Sequence, residues 1–443
     1  MAVMTWQAMR VLMLLTAVYA ISAWRLQQPQ TKWTCGVSTE YNAIRLRTSL
    51  KCVNNDGYNA IMVVPTGVGA SIGGYAGDAL PAAKLLASVV DVLITHPNVM
   101  NGAMMYWPVD NILYVEGYAL DEFTGKNINI VPVTKKSNKI GLLLDKGIEE
   151  ELLTRHLQVA DAARATLGLD VVEAVITSEK VGVKLEMASS GASWGNIENS
   201  NTLIEAAKEL VSRGCNAIAV VVRFPEDDEI EGGADEAAAR FQAYREGNGV
   251  DGIAGAEAII SHIITKELMI PCAHAPAFEP TDVDANTSPK ASAEELGYTF
   301  LPCVLSYLHR APQFRHTSEQ DPNTINMDHI DAIVTPINAL GGPSVLNCIA
   351  NNKLVIAVED NETSMDVDNE VFPKYKNIIK ARSYAEAAGL LAAHKAGILL
   401  ESLTPTIKPI KCTALTSKST KSTGKSQQTK GKKKAVTIEH CKS

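Results

Sequence analysis

Two histidines stand where apolar runs end, and such positions can do acid–base chemistry. His96 follows the run Val92 to Thr95, and His274 follows Met269 to Ala273. An imidazole changes charge near neutral pH, so it can give or take a proton. Glu359 and Asp360 close a third run, Lys353 to Val358, and would supply a supporting carboxylate. Asn98 and Asn101 add neutral hydrogen-bonding groups beside His96, and Asp110 and Glu116 can reach the same edge. The bland alternative for each histidine is a satisfied loop residue.

A second group could bind rather than react. The segment Pro65 to Gly77 reads PTGVGASIGGYAG and follows a strand-like run. Its glycines, Gly67, Gly69, Gly73 and Gly74, permit close backbone approach, while Thr66 and Ser71 add hydroxyls. Successive amides of this kind can cradle a phosphate or carboxylate at a helix start. The spacing is neither GK[ST] nor GxGxxG, so no nucleotide fingerprint is present. Asp78, expected to cap the next helix, would compete with an anion for that end.

Further binding candidates are Ser189 and Ser190 in a Ser/Gly stretch, and Arg310 within LHRAPQFRH. Asn338, Gly341, Gly342, Ser344 and Asn361 surround a second turn, GGPS. That turn, before a helix, is loosely similar to the donor-site organisation of two-domain glycosyltransferases. A zinc or iron site built from His274, His309, His316 and an acid is conceivable, as is proton transfer by Cys272 and Cys303. Solvated loop charges and packed thiols are the competing readings. No CxxC pair supports a zinc ribbon.

These groups need strands and helices to position them. Apolar β-rich runs at Ala60–Pro65, Val92–Thr95, Ile140–Leu144, Val171–Thr177, Ala217–Val222, Met269–Ala273, Asp331–Pro336 and Lys353–Val358 alternate with helical patterns. The alternation predicts an α/β fold with largely parallel sheets and helical crossovers. Open parallel sheets bind ligands beyond their carboxyl edges. The expected organisation is a targeting segment and linker over 1–56 and a first α/β lobe over 57–275. A proline-rich irregular insertion or lid over 276–328, a second lobe over 329–402 and a basic low-complexity tail over 403–443 complete it.

Charge separates body from tail. The formal net charge is −8, yet the stretch from Glu401 onward holds ten lysines and two glutamates, leaving −16 on the preceding 400 residues. So acidic a body does not suit a nucleic-acid backbone, and specific nucleic-acid binding is not expected. At the other end, Val11 to Trp24 is mostly apolar, with the length of a signal-peptide core rather than of a membrane span. A basic, acid-poor stretch to Lys51 follows. The combination suits entry into an organelle by a secretory first step, with simple secretion as the main rival. No stable transmembrane span is expected in the mature body.

The stretches MVVPTGVGASIGGYAGDA, DVLITHPNVMNGAMMYWP, NILYVEGYALDEFTG and TPINALGGPSVLNCIANNKLVIAVEDN together resemble the functionally uncharacterised DUF3326 family of photosynthetic lineages. The resemblance covers roughly Asn59 to Glu401. It implies a plastid destination but carries no reaction, cofactor or metal. Three functions compete: an enzyme acting on a small anionic metabolite, a non-catalytic metabolite-binding or regulatory protein, and a component of an organellar assembly. A homo-oligomer is compatible with each.

Overall fold

The computed structural model describes residues 57–75, 77–100, 109–134, 136–225, 234–279, 283–295, 300–319 and 321–413. The first sheet contains β1 (Asn59–Met62), β2 (Val92–Thr95), β3 (Ile112–Tyr114), β12 (Ile330–Pro336), β13 (Leu354–Val358) and β14 (Ile378–Ala381). Their order is β14-β13-β12-β1-β2-β3, and every pair is parallel. The second sheet holds β5 (Ile140–Leu144), β6 (Val171–Ile176), β9 (Ala217–Arg223) and β10 (Cys272–Ala277), in the order β10-β9-β5-β6, again all parallel. Two antiparallel pairs complete the set: β4 (Ile128–Val131) with β11 (Gln313–His316), and β7 (Val183–Met187) with β8 (Ser193–Ile197).

The described helices are α1 (Leu80–Ala87), α2 (Gly117–Thr124), α3 (Glu150–Leu167), α4 (Ser200–Ser212), α5 (Ala234–Arg245), α6 (Ala254–Leu268), α7 (Pro289–Glu295), α8 (Leu301–Leu308), α9 (Pro343–Ala350) and α10 (Tyr384–Lys395). Among the described residues no helix is long and apolar enough to cross a membrane.

Strands covered on both faces must be apolar at every position, which is why these runs lack polar alternation. In β1, Ala60 and Met62 enter one core cluster while Ile61 enters another on the opposite face. In β5, Ile140, Leu142 and Leu144 join the first cluster and Leu143 a third. The first cluster contains residues of both sheets, including Leu93, Val334, Leu144 and Ala275, so one apolar core links them. At that junction Tyr114 of β3 stacks on Tyr307 of α8 at 5.1 Å between centroids, and its hydroxyl donates to the Cys272 carbonyl of β10 at 3.4 Å.

The order of strands in space differs from their order along the chain. The span 57–275, read as one lobe, contributes to both sheets: β1 pairs with β12 on one side and β2 on the other, while β5, β6, β9 and β10 build the second sheet. The span 276–328 contains α7, α8 and β11. The strand expected at Met269–Ala273 begins later, at Cys272, because Met269 is the left-handed cap of α6 with φ 51°. His274 therefore lies inside a strand and not at its end.

Asp145, at the carboxyl end of β5, is 1% exposed and accepts from the amides of Gly147 (2.8 Å), Val181 (3.0 Å) and Arg223 (3.2 Å). It ties three separate loops together. Asp145→Ala strands these amides and should cost about 3–5 kcal/mol in urea unfolding, with Asp145→Asn costing clearly less. Equal losses would contradict this role.

Candidate functional site

The helix α6 is apolar on the face that enters the second sheet's core, through Ala256, Ile260 and Ile264. Its other face carries Glu257, Ser261 and His262, where four-residue spacing puts Glu257 and Ser261 on one stripe. This stripe meets the carboxyl edge of the first sheet. The meeting point is Glu116, two residues beyond β3 and 1% exposed.

Glu116 performs two tasks with its two oxygens. One oxygen, Oε2, caps α2 by accepting from the amides of Tyr118 (2.9 Å) and Ala119 (3.3 Å), orphan donors of a first helical turn. The other, Oε1, contacts Nδ1 of His262 and accepts from the Ser261 hydroxyl at 3.4 Å. The close approach of the imidazole depends on Gly117, where a Cβ would stand 2.9 Å from His262 Cε1.

Two further histidines border this pair. His274 places Nδ1 3.0 Å from the Ser261 hydroxyl and Nε2 3.8 Å from Glu257 Oε2. His96, at the end of β2, accepts the Val64 amide at Nε2 (3.0 Å), which puts the neutral ring's proton on Nδ1. Burial, with the charge on His262, lowers His96 to about 4. The same two causes take His274 to about 3. Burial alone would lower His262 too, but the hydrogen bond and charge of Glu116, with Asp121, raise it above its ordinary value. One imidazole thus retains a proton toward neutral pH while its two neighbours are neutral. Cys272 is buried and its thiol is pushed far up, so it is a packed thiol and not a thiolate.

Of the residues expected to act together, His96 and His274 both lie within the field of His262. Glu359 and Asp360 are exposed at the end of β13, three strand spacings from β2, or about 14 Å. The carboxylates that reach the histidines are Glu116 and Glu257. The histidines proposed for a metal are apart: His309 Nε2 lies 3.4 Å from Ser137 Oγ, and the exposed His316 bonds to Ser318. Among the described residues no three His, Cys, Asp or Glu side chains are arranged to hold a metal ion.

The glycine-rich loop is occupied by the protein itself. The amide of Ser71 donates to the Glu362 carbonyl (3.0 Å), Ile72 to Asn361 Oδ1 (3.0 Å) and Gly73 to Asp78 Oδ1 (2.6 Å). Asp78 was expected to cap the next helix, yet Ala79 is the N-cap residue and the Asp78 carboxylate turns back into the loop. Gly67, with φ +71°, lies so close to β8 that a Cβ would stand 2.6 Å from Ser193 Oγ. A Cβ on Gly69 would meet Val250, and one on Gly74 the Ala70 carbonyl. Thr66 is half-exposed at the loop's entrance. Asn98 pins the loop by donating to the Val64 and Pro65 carbonyls at 3.0 and 2.9 Å. Asn101 lies outside the described residues.

The second turn is similarly filled. Asp121 accepts from the amide and hydroxyl of Ser344 (3.1 and 2.5 Å), capping α9 with a carboxylate. Asn338 bonds to Thr363 in both directions, Gly341 packs near Val367, and Gly342 borders open space. Asn361 is fully buried and donates to the Ile72 carbonyl and the Tyr384 hydroxyl. Ser189 and Ser190 are exposed at the β7–β8 turn, and the half-exposed Arg310 faces Asp110 at 3.6 Å.

Comparison with known proteins fits this chain into a family without an assigned activity. Residues 59–404 match the family model described as "Protein of unknown function (DUF3326)", and the chain belongs to that family. It is 49% identical over 349 residues to a protein of Synechococcus sp. described as an uncharacterized lipoprotein, covering 78% of this chain and 93% of that one. No solved structure matches it.

The lowered His96 links this site to stability. Its folded value of about 4 lies below the ordinary 6.5, so its contribution is present above pH 6.5 and lost as pH falls through 4. Wild type should lose about 3 kcal/mol more than His96→Gln between pH 7 and pH 4 in urea unfolding. Parallel losses in the two proteins would show that His96 is not held neutral.

Proposed function

We propose that this protein binds a small anionic metabolite without transforming it, at the junction of β2, β3, α6 and β10. The observation carrying this reading is the Glu116–His262 pair. Nδ1 of His262 is committed to the buried carboxylate, while 41% of the His262 side chain is exposed and Nε2 has no partner among the described residues. That N–H donates to an acceptor oxygen of the ligand, a carboxylate or phosphate oxygen. Because Glu116 balances the imidazolium, recognition comes from the oriented hydrogen bond and not from a net positive field.

A binding role is favoured over catalysis by what the neighbouring groups can do. A base works best when its pKa is near the working pH, and His96 and His274 are several units below it. Ser261, His274 and Glu257 follow the order hydroxyl, imidazole, carboxylate, but Ser261 is 1% exposed and has no access to a substrate. The enzymatic reading keeps one supporting observation. A buried carboxylate that orients an imidazole with a free Nε2 is also an acid–base arrangement.

The lipoprotein description of the Synechococcus relative supports a secretory first step for this chain, carried by the apolar segment Val11 to Trp24. A plastid is the proposed destination, and secretion the alternative.

The test is native mass spectrometry of the full chain after exposure to a small-molecule cell extract. Wild type should retain an anionic compound and release it unchanged, and His262→Gln should retain at least about tenfold less, a loss of about 1.4 kcal/mol. Release of a chemically altered compound would favour the enzyme. Equal retention by the variant would remove His262 from the site.

A further inference from the structure

The outer edge of β6 is open and apolar. β6 ends the second sheet, and beyond its bonds to β5 the backbone of residues 171–176 has no hydrogen-bond partner among the described residues. Exposed edges are normally guarded by lysine, proline or very short strands. The first sheet's edge strand β14 follows that rule with four residues and an exposed Lys380. β6 reads VVEAVI, and its single charge, Glu173, pairs with Arg213 at the end of α4. Val172 and Ile176 are 44% and 49% exposed.

The helix beside this edge continues the surface. Glu173 and Val175 turn toward the face covered by α4, so Ala174 and Ile176 face the side of α3, as Val171 does; the register with β5 slips by one residue between Val171 and Glu173, and Val172 sits at that slip with no residue of β5 opposite. The crossover from β5 through α3 to β6 is right-handed by the general rule for parallel units. With Leu152, His156, Ala160 and Ala163 buried against the sheet, that handedness turns Leu157, Asp161, Arg164 and Leu167 outward over the open edge. All four are exposed.

We propose that β6 pairs with β6 of a second copy of this chain across a twofold axis, producing a continuous eight-stranded sheet. An antiparallel pairing centred on Ala174 sets Glu173 against the partner copy's Val175, so like charges do not face each other along the strand. The same axis suits α3. Its outward face is nearly palindromic about Ala162, which sets Leu157 against Leu167 and Asp161 against Arg164 of the other copy. The two centres agree in height: three strand residues rise about 10 Å from Val171, and five helical residues about 7.5 Å from Leu167. The charge order that would repel in a parallel arrangement attracts, twice, in this one.

The full chain, weighed by light scattering at about 10 μM, should have twice its monomer mass, as a Kd of about 1 μM or tighter requires. Ile176→Lys should give a monomer that still unfolds in one cooperative urea transition, its midpoint lowered only by the lost association, because Ile176 is half-exposed in the single chain. Asp161→Arg should weaken the dimer about tenfold by opposing like charges twice, and Asp161→Arg with Arg164→Asp should restore it. The charge exchange decides the matter if Ile176→Lys fails to fold. A monomeric wild type, including one whose β6 edge is covered by its own N-terminal segment, overturns the proposal. So does a dimer indifferent to both the Ile176 and the Asp161 changes.

Discussion

A carboxylate that is 1% exposed must be answered by donors on every side, and Glu116 sets much of this molecule's organisation through that need. One oxygen starts α2, and the other receives the polar stripe of α6. The requirement fixes Gly117 as a residue without a Cβ, places Ser261 and His262 opposite the buried face of α6, and gives His262 a proton. Burial keeps His96 and His274 neutral, and the proton on His262 adds to that effect. The first sheet's edge and the second sheet's helix are thereby held in one arrangement, with hydrogen bonds above and the Tyr114–Tyr307 stack below.

Negative charge is recruited internally throughout the protein. Crevices where strand order reverses, and helix starts, are the usual places for a bound anion. Here the reversal between β1 and β12 is bridged by neutral acceptors, the Asn361 side-chain oxygen and the Glu362 main-chain carbonyl, which take the amides of Ile72 and Ser71. The reversal between β5 and β9 holds the Asp145 carboxylate. Asp78, Asp121 and Asp251 occupy the glycine-rich loop and the starts of α9 and α6. Burial raises the pKa of each, Asp251 to about 6, because each gives up water for a few amides. A glycine-rich turn identifies a place that wants an anion, but not whether the chain provides it.

This explains which parts were legible in the sequence. β2 and β5 were readable to the residue, since runs such as VLIT and IGLLL lie between clear helical patterns. β10 was displaced because Met269 adopts the left-handed cap that glycine usually takes. The β7–β8 hairpin looked like a Ser/Gly loop, and its contribution is Ser193, whose amide and hydroxyl bond to Gly67 and Gly255. In the site, His96 and His274 stood out at apolar runs, whereas Glu257, Ser261 and His262 were absorbed into a helix pattern. Their signal was there: Glu257, Ser261 and Thr265 recur every fourth residue in a helix whose Ile260 and Ile264 are fully buried. A polar stripe on such a helix requires a polar partner, and Glu116 is that partner.

The central claim is that Glu116 and His262 act as one unit. A double-mutant cycle of Glu116→Gln and His262→Gln, followed by urea unfolding at neutral pH, measures it directly. The pair should show a coupling of about 1–2 kcal/mol, with the double variant more stable than the two separate losses imply. Additive losses would mean that carboxylate and imidazole merely share a space, and the account of this site would fail.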